Sequence, residues 1–378
     1  MKRLILTAAI IISINLTIKT QTFDEIPIYP AVPFLTITPD ARGGALSETG
    51  AATPPDVASI YHNPSKYSFI DSKAGIIVSY SPWLRSIAND MMINYLGGFF
   101  KFNDRQAFAT SIKYFSVGEI QFTNNLGDKT TIYKPNEFAI DGAYSLKLAE
   151  NFSGAISLRF IYSNLTGGSS NVPGSHAGIA VASDLSFFYS KNLELSDKKA
   201  NFSWGLNLSN LGTKVSYGTN ATGFIPSNFK TGVAFTYSFD DFNRIMLALD
   251  VNKLLVPSSP IYEPNTSTVI AGTDLNNTST IEGIFRSVYD APNGFKEELH
   301  ELFFSSGAEY AYNNRFFIRG GYYYEHPKKG DRQYVNLGLG FKYSIFNIDF
   351  SYLIPIVSKS PLEGTMRFTL NFYFNNNQ

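Results

Sequence analysis

From Ala74 onward the chain alternates between apolar and small or polar positions with a period of two. Phe138, Ile140, Gly142, Tyr144, Leu146 and Leu148 stand against Glu137, Ala139, Asp141, Ala143, Ser145 and Lys147. Phe152, Ile156, Leu158, Phe160 and Tyr162 stand likewise against Ser153, Ala155, Ser157, Arg159 and Ser163. The pattern returns at Ile245, Leu247, Leu249 and Val251, and again at Met366, Phe368, Leu370, Phe372 and Phe374. Successive side chains of a strand point to opposite faces, so each run predicts a strand with one apolar and one polar face. A soluble β-sandwich would alternate as well, its apolar set turned to the core. Strand length argues for the other solution. Many runs last about 10–12 residues, as tilted transmembrane strands require, against about 5–6 for an average strand.

Strands are predicted near 74–81, 91–102, 106–116, 136–148, 152–163, 178–190, 201–211, 228–239, 243–253, 300–312, 315–325, 333–343, 345–354 and 365–374. The connections 103–105, 149–151, 240–242, 313–314 and Ser344 are tight, and those flanking them are longer. The connection 191–200 is an exception, long on the side that should be short. Short periplasmic turns, longer external loops and an even strand count are the signature of outer-membrane barrels. Charge placement agrees: Lys113, Asp141, Arg159, Asp184, Lys230, Asp250, Glu309, Arg319, Asp349 and Arg367 all fall on the phase opposite the apolar set. On the lipid face near the midplane each would cost roughly 2–4 kcal/mol. The expected fold is all-β: a transmembrane antiparallel β-barrel of about fourteen strands over residues 71–378, with a long external loop at 254–299.

The residues before the barrel read differently. Residues 1–20 have the form of a secretory signal, with Lys2 and Arg3 ahead of an apolar stretch spotted by Thr7, Ser13, Asn15 and Thr17. Removing Lys2, Arg3 and Lys19 leaves the remainder slightly acidic. Residues 21–70 do not alternate. Pro27, Pro30, Pro33 and Pro39 forbid a continuous helix, and 41–52 is small and glycine-rich. So long a lead-in suits a plug, or hatch, in the lumen or a cap beneath it. Inside a barrel, Asp40, Arg42 and Asp56 should meet charges of the lumen phase, because a buried charge needs a partner.

Only 16% of the 378 residues are charged, while 15% are aromatic. Soluble domains carry about a quarter charged residues, so this composition fits a surface that partly faces lipid. The formal net charge is zero, which argues against a nucleic-acid partner. There is no cysteine, which removes disulfides, thiolate metal sites and thiol nucleophiles together. None of His62, His176, His300 and His326 has metal-ligand spacing to a second ligand, and no Gly-x-Ser-x-Gly elbow or phosphate-binding loop occurs. A phospholipase-type pairing of Ser and His on neighbouring strands would leave no motif. The expectation is a protein without catalytic, cofactor or metal residues. The 254–299 connection carries an unusual apolar load, including Leu255, Tyr262, Ile284, Phe285, Val288 and Tyr289. It reads either as a loop folded over the barrel mouth or as a docking surface for protein.

Two stretches carry a family resemblance. Phe34-Leu-Thr-Ile-Thr-Pro-Asp40-Ala-Arg42-Gly-Gly-Ala-Leu46 and Asp56-Val-Ala-Ser-Ile-Tyr61-His-Asn63-Pro64 resemble the PorV family, outer-membrane proteins of the type IX secretion system in Bacteroidetes. The second stretch is shared more widely with FadL-like barrels, which have fourteen strands and an N-terminal hatch. Asp40, Arg42, Asp56, Tyr61, Asn63 and Pro64 are therefore read as hatch-motif residues. One departure is the polar tail Asn375–Gln378 after Phe374, where such barrels commonly end on an aromatic. The resemblance implies a non-enzymatic carrier of protein secretion. It would collect cargo proteins by their C-terminal domains as they leave a large translocon barrel (SprA/Sov-like). It would then deliver them to a sortase-like surface attachment complex that links them to lipopolysaccharide. Binding should fall on the extracellular loops, for which Trp83, Leu84, Ile120, Phe122, Phe224, Ile225, Tyr262, Ile284 and Phe285 are the candidate contacts. The alternatives are a FadL-type channel for hydrophobic small molecules and a structural partner within the same secretion machine.

Overall fold

The computed structural model describes residues 23–123, 126–167, 174–218, 222–263, 265–266 and 268–375, and the expected signal peptide lies outside them. Fourteen antiparallel strands close into a barrel. They are β1 (Ala74–Pro82), β2 (Met92–Asn103), β3 (Gln106–Ser116), β4 (Asn136–Ala149), β5 (Phe152–Asn164), β6 (Gly178–Leu195) and β7 (Lys198–Gly212). The rest are β8 (Asn228–Ser238), β9 (Asn243–Leu254), β10 (Leu302–Tyr312), β11 (Phe316–Tyr324), β12 (Gln333–Tyr343), β13 (Phe346–Pro355) and β14 (Met366–Phe374). Closure is made by β1 on β14, with Ala74 opposite Phe374 and Tyr80 opposite Phe368. With no free edge left, every strand satisfies its backbone groups within the sheet, as a bilayer demands.

Burial follows the predicted phase. Ile140, Tyr144, Ile156, Leu158, Leu247, Leu249 and Phe368 are exposed on the outer wall, while the charged positions of the opposite phase turn inward and all are buried except the half-buried Lys230. The one long connection on the short side is corrected by the structure. β6 and β7 keep pairing out to Leu195 opposite Lys198, joined by a two-residue turn at Ser196 and Asp197, both at positive φ (50° and 62°). That is the tight primed hairpin expected between antiparallel strands. The alternation had stopped at Lys191 because beyond the bilayer both faces meet water, although the backbone ladder continues.

The N-terminal segment runs through the lumen. Residues 23–31 lie at the long-loop end, where Phe23 and Asn293 exchange hydrogen bonds of 2.8 and 2.9 Å and Ala31 N donates to Phe224 O at 2.8 Å. A 3-10 turn at Pro33–Thr36 follows, then α1 (Ala41–Ala45), α2 (Ser59–His62) and a second 3-10 turn at Pro64–Phe69, from which the chain enters β1. Asp40 caps α1 by accepting from Gly43 N at 2.6 Å, and Asn63 caps the second turn through Ser65 N at 3.2 Å.

Small inward residues make room for this backbone. At Gly205 on β7 a Cβ would stand 1.9 Å from Ala51 O, and at Gly338 on β12 it would stand 2.3 Å from Ala45 Cβ. Inward serines and asparagines then bind the segment's carbonyls: Ser203 Oγ to Ala52 O at 2.7 Å, Ser153 Oγ to Ser65 O at 2.7 Å and Asn207 Nδ2 to His62 O at 3.1 Å. The small phase of the alternation thus serves the lumen, where a folded segment rests on the wall.

Candidate binding face

Within the lumen several ionic groups are paired, while Lys66, Lys113 and Arg367 donate to backbone carbonyls. Arg42 joins Asp56 at 2.7 Å and Glu309 at 3.0 Å, and Arg319 joins Glu309 at 2.7 Å and Asp349 at 2.6 Å. Arg159 pairs with Asp141 and, at 3.2 Å, with Asp184. Of the three segment charges expected to meet barrel charges, only Arg42 does so directly. Asp56 is held by Arg42, and Asp40 binds His62 Nε2 at 2.9 Å within the segment itself. Uncharged donors complete the set, since Asp250 accepts from Gly50 N at 2.7 Å and Ala51 N at 2.9 Å. Tyr61 sits on the upper side of this plug, with the Lys113 ammonium 4.7 Å from its ring centroid. It faces a cavity of about 430 Å³ between the plug, the N-terminal residues 27–36 and the 325–332 loop, lined also by Arg159, Leu254 and Phe303.

The 254–299 connection, of whose residues Leu254 lines that cavity, forms a cap at the barrel rim. It contains a small hairpin (Ile261–Tyr262 with Val269–Ala271), α3 (Thr280–Arg286) and α4 (Phe295–His300). Ser279 starts α3 by accepting from Glu282 N at 3.3 Å, and Glu282 meets Arg286 at 2.7 Å one turn on. A chain of buried ions ties the cap to the barrel rim. Lys253 binds Glu298 at 2.8 Å and Glu301 at 2.7 Å, and Lys329 binds Glu297 at 2.5 Å and Glu301 at 3.0 Å. Burial pushes the Glu298 and Asp290 carboxyls up from the ordinary carboxylate range. For Lys329 burial acts downward, but Glu297 and Glu301 outweigh it and hold the ammonium above its usual value.

Away from the barrel the cap is apolar. Ile281 and Phe285 are 72% and 69% exposed, one turn apart on α3, and Val288 and Tyr289 continue the stripe. Phe295 and Leu299 of α4 are exposed beside it. The opposite side of α3 packs inward at Gly283, where a Cβ would meet the Phe224 ring at 2.5 Å.

The candidate contacts divide accordingly. Ile120, Tyr262 and Phe285 are exposed, and Phe122, Ile284 and Leu84 are partly covered. Trp83, Phe224 and Ile225 are buried and offer no surface, which corrects the expectation for them. Trp83 and Ile225 join Val32, Phe34, Leu35, Ile93, Phe115 and Ile161 in one core cluster that roofs the N-terminal segment. Ile281 and Leu299 had been passed over. The signal for Ile281 was present in Ser279-x-x-Glu282 followed by apolar residues four apart, the mark of a short amphipathic helix.

At the rim of the cap three donors distant in sequence converge. Glu25, His300 and His326 place one ligand atom each within 4.8 Å of one another.

The model of the PorV family, described as type IX secretion system protein PorV, matches residues 20–261, well over half of the chain. The chain belongs to the PorV family. That membership ties it to type IX secretion and fits an outer-membrane location for the barrel. Among solved structures, the P. putida toluene transporter TodX superposes with a TM-score of 0.50 at 10% identity, covering 89% of this chain and 99% of that one. The Ralstonia pickettii toluene transporter TbuX (TM-score 0.47, 13% identity, 89% and 98% coverage) and a Pseudomonas aeruginosa FadL homologue (0.42, 12%, 93% and 100%) are further matches. At such identities TodX speaks for the barrel fold alone. No curated protein matches the chain.

Proposed function

We propose that this PorV-family barrel is a non-enzymatic carrier that binds cargo proteins through its extracellular cap. It takes them by their C-terminal domains from the translocon barrel and passes them to the surface attachment complex. The observation that carries the reading is the exposed apolar stripe Ile281, Phe285, Val288 and Tyr289 on a cap braced by buried ion pairs. Large exposed apolar groups on a rigid support are what a protein-docking hot spot requires, because little conformational freedom is lost on binding. The ion pairs and hydrogen bonds that hold the plug to the wall favour a barrel that stays filled.

The test is co-purification of cargo and translocon with wild-type protein and with the double variant Ile281→Asp, Phe285→Asp at equal membrane levels. Truncating a docking hot spot typically costs about 2 kcal/mol or more, and a desolvated charge adds to it, so capture should fall at least about thirtyfold. Equal capture would remove this face from the site. The rival reading, a channel for hydrophobic small molecules, draws on the cavity of about 430 Å³ above the plug. Wild-type protein that takes up such molecules and captures no cargo would replace the carrier reading with that one.

A further inference from the structure

The rim where the N-terminal strand of chain (residues 23–31, in no sheet) meets the cap holds a cluster of three possible donors. His300 ends α4, His326 lies in the 325–332 loop, and Glu25 comes from the N-terminal strand of chain. The two imidazole rings stack face to face, with centroids 3.6 Å apart and planes within 6°. His300 Nδ1 lies 2.8 Å from Glu25 Oε2. Stacked imidazoles gain little in water, and once both are protonated they repel. A bound cation would replace that stack, because each ring must turn until its in-plane lone pair points at the ion.

We propose that Glu25, His300 and His326 form a divalent transition-metal site, suited to Zn²⁺, that fastens the N-terminal strand over the mouth of the lumen cavity. Two imidazoles and one carboxylate are a three-ligand set that zinc completes with water. The two imidazoles are partly exposed, so the ion has a path in and room for that water on their side, while the Glu25 side chain is 8% exposed. Tetrahedral zinc at about 2.0–2.1 Å from each donor needs donor atoms about 3.3 Å apart. The present spread of up to 4.8 Å must therefore close on binding. Binding would displace the 2.8 Å contact of His300 with Glu25, the Lys328 Nζ contact to Glu25 at 3.2 Å from a 62% exposed side chain, and the Lys328 N donation to His326 Nδ1 at 3.3 Å. The consequence lies just along the strand, where Pro27, Ile28, Tyr29 and Pro30 form part of the cavity wall. A metal at Glu25 therefore holds one side of that cavity shut.

The experiment is calorimetric titration of ZnCl2 into the full detergent-solubilised barrel, purified without a polyhistidine tag, with hydrogen exchange of residues 23–30 followed in parallel. Wild type should bind one equivalent, and exchange in that strand should slow at least tenfold on loading. His300→Gln and His326→Gln should each weaken binding at least tenfold and abolish the slowing, whereas His176→Gln, on a distant loop, should change neither. Heat-modifiable gel mobility verifies that every variant is folded. Absence of saturable binding, or binding unchanged in both rim variants, overturns the proposal. So does zinc binding that leaves the strand's exchange unaltered. Each outcome is independent of cargo capture.

Discussion

Arg42 shows how much one side chain in the plug carries. Its guanidinium bridges Asp56 of the same segment and Glu309 of β10, and donates to Pro54 O at 3.0 Å. Arg42→Ala leaves Glu309 with Arg319 and Asp56 with Ser59 Oγ at 3.2 Å, and because the pair is only partly buried its loss should cost less than the roughly 3–5 kcal/mol of a fully buried one. The expected result is a clear drop in the temperature at which the folded gel band is lost; no change would mean the pair contributes nothing net. Gly205 makes a different demand. Gly205→Val drives a side chain into Ala51 O within a paired strand, so the plug and not the barrel must yield. Residues 40–58 should then become cleavable by protease while heat-modifiable mobility persists. A plug that stays protected would show that the wall can bend instead.

At the scale of elements, the cap on α3 and α4 is where pH should act. Glu298 and Asp290 have carboxyls raised chiefly by burial, so the folded cap holds protons more firmly than the unfolded chain. Stability from these groups is greatest below their ordinary values of 4.5 and 3.8, and is lost as pH rises through the raised folded values. Lys329, raised by Glu297 and Glu301, acts with the opposite charge in the same direction, keeping its contribution until pH climbs past its ordinary 10.5. Protection factors in residues 290–301, taken against the intrinsic exchange rate at each pH, should therefore be larger at pH 5 than at pH 8, and Glu298→Gln should flatten the difference. Larger protection factors at pH 8 would mean that the Lys253 contacts dominate. The apolar stripe on α3 stands outside this network, so Ile281→Asp with Phe285→Asp should leave barrel melting unchanged.

For the whole molecule, the filled lumen governs what passes. Ion pairs and the plug backbone occupy the middle of the barrel, leaving the cavity of about 430 Å³ above and a smaller one of about 140 Å³ below, beside Asp56 and Asp349. Purified protein in planar bilayers should show little steady conductance. Deleting residues 40–58 should open large channels, since the inward wall then keeps only its own charges. High conductance in the intact protein would contradict a permanently filled barrel.

Strand number, register phase and the inward placement of Asp141, Arg159, Glu309 and Arg319 were legible in the sequence. A barrel wall separates lipid from lumen at every second residue, so its architecture is written locally. The turn at 196–197 was missed because the alternation fades where both faces meet water, although strand pairing does not. Sequence also marked the N-terminal segment as something other than strand, and its motif residues carried the family likeness. Only the tertiary structure decided what those residues touch. It set Asp40 on His62, buried Trp83, Phe224 and Ile225 as a roof over the segment, and left Ile281 and Phe285 outside. It also gathered Glu25, His300 and His326 from positions about three hundred residues apart. These are non-local facts, because exposure in a loop depends on which neighbour arrives to cover it, and no period along the chain records that.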